Sequence, residues 1–402
     1  MTVKIEPCKL AGCVQAPPSK SYAHRLMIAA GLAEGASVVR GVENSRDMEA
    51  TRGCLAALGV QSRIDKNELY ITGKARQDGE SPVFPCGESG TTLRFFLPIA
   101  LTKAVTGTFC GSARLMERGI GIYEEIFREK GVEVNKTDES IVVKGQLTPG
   151  DYTLAGNVSS QFVSGLLFAL PLLGGDSRIR LLPPVESRPY IGMTMDVLKR
   201  AGIVVHAEDE NCCLIPGGQH YQAAAYEVEG DWSNAAALYA FRAIGGDVSV
   251  TGLHRDSLQG DRACLRFLEM LDGENPVMDL ADTPDLAPVL FAAAAAKHGA
   301  VFTGIRRLRI KESDRAACMA EELLKCGIYS EMEENRMIIR QGTLHSPKER
   351  FSAHNDHRIV MALSLLASLV GGEIEGAEAV SKSWPGYFDV LRALGCRLSL
   401  ED

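Results

Sequence analysis

The chain has 402 residues, of which 46% are apolar and 23% charged, a composition that argues for a folded protein with more than one core and against extended disorder. Its net charge of -8, with no basic run interleaved with aromatics, excludes any general attraction to nucleic acid. No run approaches the roughly 20 apolar residues that span a bilayer, and the opening "MTVKIEPCKLAGC" lacks the apolar stretch of a signal peptide. A cytoplasmic protein without nucleic-acid or membrane partners is expected.

In chain order, one pattern recurs. A segment opens with polar residues, becomes apolar and small, and reaches a glycine: "PPSKSYAHRLMIAAGLAEG", "GESGTTLRFFLPIALTKAVTG", "NVSSQFVSGLLFALPLLGG", "GDWSNAAALYAFRAIGG", "DTPDLAPVLFAAAAAKHG" and "NDHRIVMALSLLASLVGG". Each is followed by a more charged, amphipathic helix: "RDMEATRGCLAALGV", "ERGIGIYEEIFREKGV", "RPYIGMTMDVLKRAGI", "GDRACLRFLEMLDG", "SDRAACMAEELLKCGI" and "PGYFDVLRALGC". The closing glycines at 59, 131, 202, 273, 327 and 395 are spaced 72, 71, 71, 54 and 68, so a unit of about 70 residues occurs six times, once shortened. With the alternating strands that follow in several copies, the unit is βαβαββ. Three units per domain is the economical division of this α/β chain, with residues 19–228 as one domain and residues 1–18 plus 229–402 as the other.

The first helices are apolar nearly all round, which implies burial, yet their openings are polar. Ser, Asp and Asn there have an ordinary reading as helix caps, and Ser19, Ser89, Ser159, Ser313 and Asp356 are candidates. Lysine and arginine in a first turn oppose the helix dipole, so Lys20, Lys311, Arg315 and Arg358 are not explained by helix stability. The openings at Lys20, Ser21 and Arg25, at Ser89, Gly90, Thr91 and Arg94, and at Ser159, Ser160 and Gln161 would suit anions. So would Asp285 with Asn355–Arg358, and the second-helix entries at Arg118, Ser187–Arg188, Lys311–Arg315 and Ser381–Ser383. Lys311 and Arg315 are four apart, as are Ser21 and Arg25, so each pair could share a helix face. Glu312 is either a salt-bridge partner of these cations or a tuned acid or base. His24 and His357 could be core histidines. The eleven cysteines show no CxxC pair or zinc spacing and fit reduced, mostly buried thiols, Cys110 included.

"PPSKSYAHR", "GESGTTLR", "ERGIG", "GNVSSQF", "SRPY", "KESDR", "NDHR" and "SKSWPGYF", in that order over the whole chain, closely resemble the 5-enolpyruvylshikimate-3-phosphate synthases (3-phosphoshikimate 1-carboxyvinyltransferases). The resemblance implies a two-domain enolpyruvyl-transferase fold with six βαβαββ repeats and the active site in the cleft between domains. It implies transfer of the enolpyruvyl group of phosphoenolpyruvate to the 5-hydroxyl of shikimate 3-phosphate, with release of phosphate and no metal or organic cofactor. The product serves chorismate and aromatic amino acid biosynthesis, and a monomer is expected.

Carried over position by position, Lys20, Ser21, Arg25, Ser159, Ser160, Gln161, Ser187, Asp285 and Lys311 would hold shikimate 3-phosphate. Lys20, Gly90, Arg118, Gln161, Arg315, Arg358 and Lys382 would surround phosphoenolpyruvate. Asp285 would accept the 5-hydroxyl proton, and Glu312 would protonate the methylene carbon and take a proton back, with Lys20 and Lys382 at the reacting centre. Retention of Gly90 implies sensitivity to glyphosate, which Ser89 and Phe95 could shift. Two positions depart from the family pattern: Glu88 and Arg307 stand where asparagine is usual. Glu88 would then point away from the anions or pair with a neighbour such as Arg94, and a contact to shikimate 3-phosphate would be changed at Arg307. The alternatives are the sister activity, UDP-N-acetylglucosamine 1-carboxyvinyl transfer, and a non-catalytic anion-binding scaffold of the same fold; a P-loop kinase lacks its glycine-rich loop here.

Overall fold

A helix that is apolar on every side is stable only when covered on every side, and the small-residue helices foreseen in the sequence are covered in this way. The computed structural model of the protein describes residues 1–73, 79 and 81–401. The chain divides into two compact units, Lys20–Glu229 and Met1–Ser19 with Gly230–Asp402. Each has its own apolar core.

The unit Lys20–Glu229 contains α1 (Lys20–Leu32), α2 (Arg46–Ala57), α3 (Gly90–Ala100), α4 (Ala113–Arg118), α5 (Gly121–Glu129), α6 (Ser160–Ala169) and α7 (Arg188–Arg200). Nearly every residue of α1, α3 and α6 is buried. Around them lie three four-stranded sheets of one design. Val83–Gly87 runs parallel to Val105–Gly111, which pairs antiparallel with Ser140–Gly145, and that strand with Glu133–Lys136. Parallel neighbours need a crossover, which α3 provides. Gly150–Ala155, Ser177–Leu182, Cys212–Ile215 and His206–Asp209 repeat the order. In the remaining sheet the strand beside Gly35–Arg40 is Ala225–Glu227, supplied by the far end of the unit.

The second unit contains α8 (Trp232–Ala243), α9 (Cys264–Met270), α10 (Ala287–Ala296), α11 (Arg315–Lys325), α12 (His357–Val370) and α13 (Tyr387–Ala393). Two four-stranded sheets keep the same order, one of them completed by Thr2–Ile5 between Gly372–Glu375 and Leu398–Glu401. The copy built on α8 and α9 differs. Its sheet has two strands, Ala11–Gln15 and Asp247–Thr251, and no hairpin follows α9 before Val277–Asp279 begins. Five copies are therefore βαβαββ and one lacks its final hairpin, which accounts for the 54-residue spacing.

Local detail corrects several helix boundaries. Asp314, not Ser313, caps α11 by accepting from the Ala317 N–H at 3.2 Å, so the helix begins at Arg315. Lys311 then lies outside it, after a 3₁₀ turn over Arg306–Ile310, and shares no helix face with Arg315. Lys382 ends another 3₁₀ turn, Ala377–Lys382, and Arg118 is the last residue of α4 rather than a helix entry. Ser89, Ser159 and Asp356 do cap α3, α6 and α12.

Close approach of α3 and α6 depends on Gly165. A Cβ there would fall inside van der Waals contact with the Tyr123 hydroxyl and the Arg94 carbonyl oxygen, and Tyr123 Oη lies 2.9 Å from that carbonyl and 2.8 Å from that of Phe162. The Gly165→Ala variant should lose about 1–3 kcal/mol of stability through overpacking. Urea unfolding checks this, and an unchanged midpoint would contradict it.

Candidate active site

Each unit carries its own set of the residues singled out by sequence. In the unit Lys20–Glu229 the first residue of α1, Lys20, places its ammonium 2.9 Å from Asp47 Oδ2. Asp47 belongs to the first turn of α2, behind the Ser45 cap. An acidic residue in a first turn is explained by the helix dipole alone, and for that reason the sequence did not mark it as a partner of Lys20.

Arg25 is buried and heavily engaged. Its Nε donates to Thr194 Oγ1 at 2.8 Å, Nη1 to the Ser21 carbonyl at 2.7 Å and Nη2 to the Tyr190 carbonyl at 3.1 Å, while the guanidinium lies over the Phe95 ring at 5.2 Å. Burial pulls its pKa down to about 10. Arg25 thereby fastens α1 to α7 and holds the Ser21 carbonyl.

Gly90 opens α3, and a Cβ on it would lie 2.8 Å from Arg118 Nη2 and 3.1 Å from Cζ. A side chain at this position would have to push the guanidinium aside. Arg94, one turn into α3, holds the backbone at the end of α4, from which Arg118 extends. It donates to Gln161 Oε1 at 2.6 Å and to the carbonyls of Arg118 and Gly119 at 3.5 and 3.3 Å, with its plane over Phe162. Gln161 Nε2 donates to Thr91 Oγ1 at 2.9 Å. The openings of α3 and α6 and the end of α4 are thus one hydrogen-bonded group. Ser160 is buried in the first turn of α6, and Ser187, also buried, precedes α7 in the left-handed region at φ 58°.

His24 is a core histidine, as the simpler reading held. Its Nδ1 is 2.7 Å from Thr51 Oγ1, and burial, reinforced by Lys20 and Arg25, holds its pKa well below the usual value.

In the other unit the chemistry gathers on Arg315, which is only 1% exposed. Its Nε donates to Asp356 Oδ2 at 2.8 Å, Nη1 to Asp285 Oδ1 at 2.7 Å and Nη2 to Glu312 Oε2 at 2.8 Å. Lys311 Nζ reaches the same Asp285 oxygen at 3.0 Å. Burial disfavours an ionised Asp285, but Lys311, Arg315 and Arg358 outweigh it and hold the carboxyl well below its ordinary range. Lys311 is itself lowered, by burial first and with Arg315 and Arg307 opposing Asp285. Arg307 is buried and donates to the Ala281 carbonyl, so this departure from the family pattern adds positive charge beside Lys311.

Asp356 has a second duty as the cap of α12, accepting from the Arg358 N–H at 2.8 Å, and it also accepts from Ser313 Oγ at 3.1 Å. Arg358 Nη1 donates to Asn234 Oδ1 at 3.0 Å, and Asn234 Nδ2 donates to Ser383 Oγ at 3.3 Å. Lys382 is 3% exposed and donates to the Asn355 carbonyl at 2.6 Å. His354 and Asn355 both have positive φ. That turn is anchored by buried Glu322, which accepts from Lys325, His354 and the Ser352 N–H.

A sequence model of one family, described as EPSP synthase (3-phosphoshikimate 1-carboxyvinyltransferase), matches residues 5–275 and 272–391. The chain belongs to the EPSP synthase family. Over 98% of its length it is 39% identical to a 3-phosphoshikimate 1-carboxyvinyltransferase of Clostridium kluyveri, covering 97% of that protein. It is 35% identical to the enzyme of the same name from Brachyspira hyodysenteriae, with 99% and 100% of the two chains covered. An EPSP synthase structure from Acinetobacter baumannii matches the whole chain at a TM-score of 0.80 and 23% identity. The enolpyruvyl transferase NikO from Streptomyces tendae matches at 0.76 and 15%, over 99% of this chain and 98% of its own. The fold is the two-domain enolpyruvyl-transferase fold.

Family membership does not alter the electrostatics, which make a direct prediction. Replacing Asp356 by alanine strips a buried guanidinium of one of its three carboxylates and should destabilise the protein by about 3–5 kcal/mol; a loss below about 1 kcal/mol in urea unfolding would contradict the geometry. Asp285 ionises more readily folded than unfolded, so its stabilisation is complete above its unfolded pKa of about 3.9 and is lost as pH falls further through the lower folded value. The stability gap between the parent and Asp285→Asn should therefore be constant near neutrality and shrink below about pH 4.

Proposed function

We propose that the protein transfers the enolpyruvyl group of phosphoenolpyruvate to the 5-hydroxyl of shikimate 3-phosphate, releasing phosphate, in the route to chorismate and the aromatic amino acids. Family membership over the full chain supports the reaction. The observation that carries the assignment of roles is the Asp285–Lys311–Arg315–Glu312 group, in which Asp285 and Glu312 both meet the buried Arg315 guanidinium and Lys311 Nζ reaches the Asp285 oxygen that Arg315 holds.

The chemistry needs an acid and a base together. Glu312 protonates the methylene carbon of phosphoenolpyruvate, which makes the neighbouring carbon electrophilic. The 5-hydroxyl oxygen adds to it as its proton passes to Asp285, giving a tetrahedral adduct. The C–O bond to phosphate then breaks, and Glu312 recovers a proton from the methyl carbon as the double bond re-forms. Lys20 and Lys382 act at the reacting centre. Gly90, Arg118, Gln161, Arg315 and Arg358 with these lysines hold phosphoenolpyruvate, and their charge stabilises the departing phosphate more than the bound substrate. Ser21, Arg25, Ser159, Ser160, Gln161, Ser187, Lys20, Asp285 and Lys311 hold shikimate 3-phosphate.

Both substrates are small anions, which suits a chain whose own net charge is negative but whose cations are locally concentrated. No helix among the described residues is long and apolar enough to cross a membrane. A cytoplasmic monomer remains the working assignment on sequence grounds.

Phosphate release from phosphoenolpyruvate tests the function. It should require shikimate 3-phosphate and be unsupported by UDP-N-acetylglucosamine; the reverse dependence, or none, would overturn the reading. Glu312→Gln should lower kcat by about 100-fold or more, since general acid–base catalysis contributes about that much, and undiminished turnover would remove Glu312 from its role. Gly90→Ala displaces only the flexible end of Arg118, so it should fold normally while raising KM for phosphoenolpyruvate and weakening inhibition by glyphosate.

A further inference from the structure

The cap of α3 is the end of a buried chain of hydrogen bonds that begins at His24. Ser89 Oγ accepts twice from Thr92, from its N–H at 3.2 Å and from its hydroxyl at 2.8 Å. The Thr92 hydroxyl is 2.8 Å from that of Thr51, and Thr51 Oγ1 is 2.7 Å from His24 Nδ1. All four side chains are buried. A hydroxyl has one hydrogen to give, so the direction of one link sets that of the others, and the geometry of the last link has Thr92 donating to Ser89. Thr92 gives its hydrogen to Ser89, so towards Thr51 it can only accept. Thr51 gives its hydrogen to Thr92, so towards His24 it can only accept. His24 must therefore carry its proton on Nδ1.

The rest of the ring agrees with that assignment. His24 Nε2 is buried and has no hydrogen-bond partner among the described residues, and burial, reinforced by the neighbouring Lys20 and Arg25, disfavours a second proton. A bare lone pair is left at one end of the chain. At the other end a hydrogen is left over. Both accepting directions of Ser89 are taken by Thr92, and among the described residues no acceptor meets its own hydroxyl hydrogen. Ser89 immediately precedes Gly90, over which the Arg118 guanidinium lies.

We propose that His24 is a positioning residue which, through Thr51 and Thr92, holds the Ser89 hydroxyl as a hydrogen-bond donor to the carboxylate or phosphate of phosphoenolpyruvate at Gly90. This rests on the assignment of Gly90 and Arg118 to phosphoenolpyruvate made above. The tautomer sets the polarity. With the proton on Nε2, each hydroxyl could turn round, Ser89 would give its hydrogen to Thr92, and an anion would meet only oxygen lone pairs. With the proton on Nδ1, the α3 opening offers a hydroxyl hydrogen beside its backbone N–H groups and the guanidinium.

Two measurements on the full chain test this. In protein labelled with ¹⁵N-histidine, the His24 resonances, assigned by their loss in His24→Asn, should show a protonated Nδ1 and an unprotonated Nε2; a protonated Nε2 would overturn the proposal. In steady-state kinetics Ser89→Ala should raise KM for phosphoenolpyruvate about tenfold or more, as befits a lost hydrogen bond to a charged group, with kcat and KM for shikimate 3-phosphate within about twofold. An unchanged KM for phosphoenolpyruvate would overturn it too. His24→Phe should share the Ser89→Ala phenotype, and His24→Asn, which can place an amide N–H near the Nδ1 position, should restore most of the affinity; equal behaviour of the two variants would contradict the positioning role. The tautomer is read without turnover. A protein that released no phosphate would sink the functional reading, while the His24 resonances would still decide the polarity of the chain.

Discussion

The second unit is organised by the need to keep one guanidinium charged without water. Arg315 is nearly inaccessible, and a buried cation is tolerable only where anions and hydrogen-bond acceptors replace its hydration. Asp285, Glu312 and Asp356 do so from three directions. That single requirement fixes the relation of the turn leading into α10, the loop before α11 and the cap of α12. It also keeps Asp285 ionised, because that carboxylate answers both Arg315 and Lys311.

The unit Lys20–Glu229 solves a related problem with neutral groups. Arg94 holds Gln161 and the carbonyls at the end of α4, and Arg118 is thereby laid across Gly90. Here the cation proposed to meet a ligand, Arg118, is distinct from Arg94, which braces the structure. Arg25 belongs mainly with the braces, since every nitrogen of its guanidinium already donates within the unit. In both units helix N-termini supply unpaired backbone N–H groups, and the side chains around them decide which of those ends presents positive charge outward.

Much of this was legible in the chain. The glycine spacings marked six copies, the absence of polar faces marked the buried helices, and cations near helix openings stood out because helix stability disfavours them. What could not be read was anything set by partners distant in sequence. Asp47 resembles an ordinary first-turn acid, and Asn234 is one more polar residue behind an Asp231 cap, until packing brings it to Arg358, 124 positions away. Lys311 and Arg315 were expected on one helix face. They are not, because Asp314 is the cap, yet they meet on Asp285 all the same. The missing hairpin after α9 was signalled by a short spacing, but spacing alone does not say which element has gone. His24 shows the same limit most sharply: its burial could be guessed, whereas its tautomer follows only from three hydroxyl groups on two other helices.

The claim that unites these observations is that Glu312 and Asp285 act in sequence on a substrate pair that becomes one covalent species before phosphate leaves. Rapid chemical quenching of a single turnover, with enzyme in excess and both substrates isotopically labelled, tests it most directly. The account predicts a transient adduct that contains the carbon skeletons of phosphoenolpyruvate and shikimate 3-phosphate together with both phosphates, formed and consumed at rates compatible with kcat. Release of phosphate before any such adduct, or phosphate attached to the protein, would contradict it.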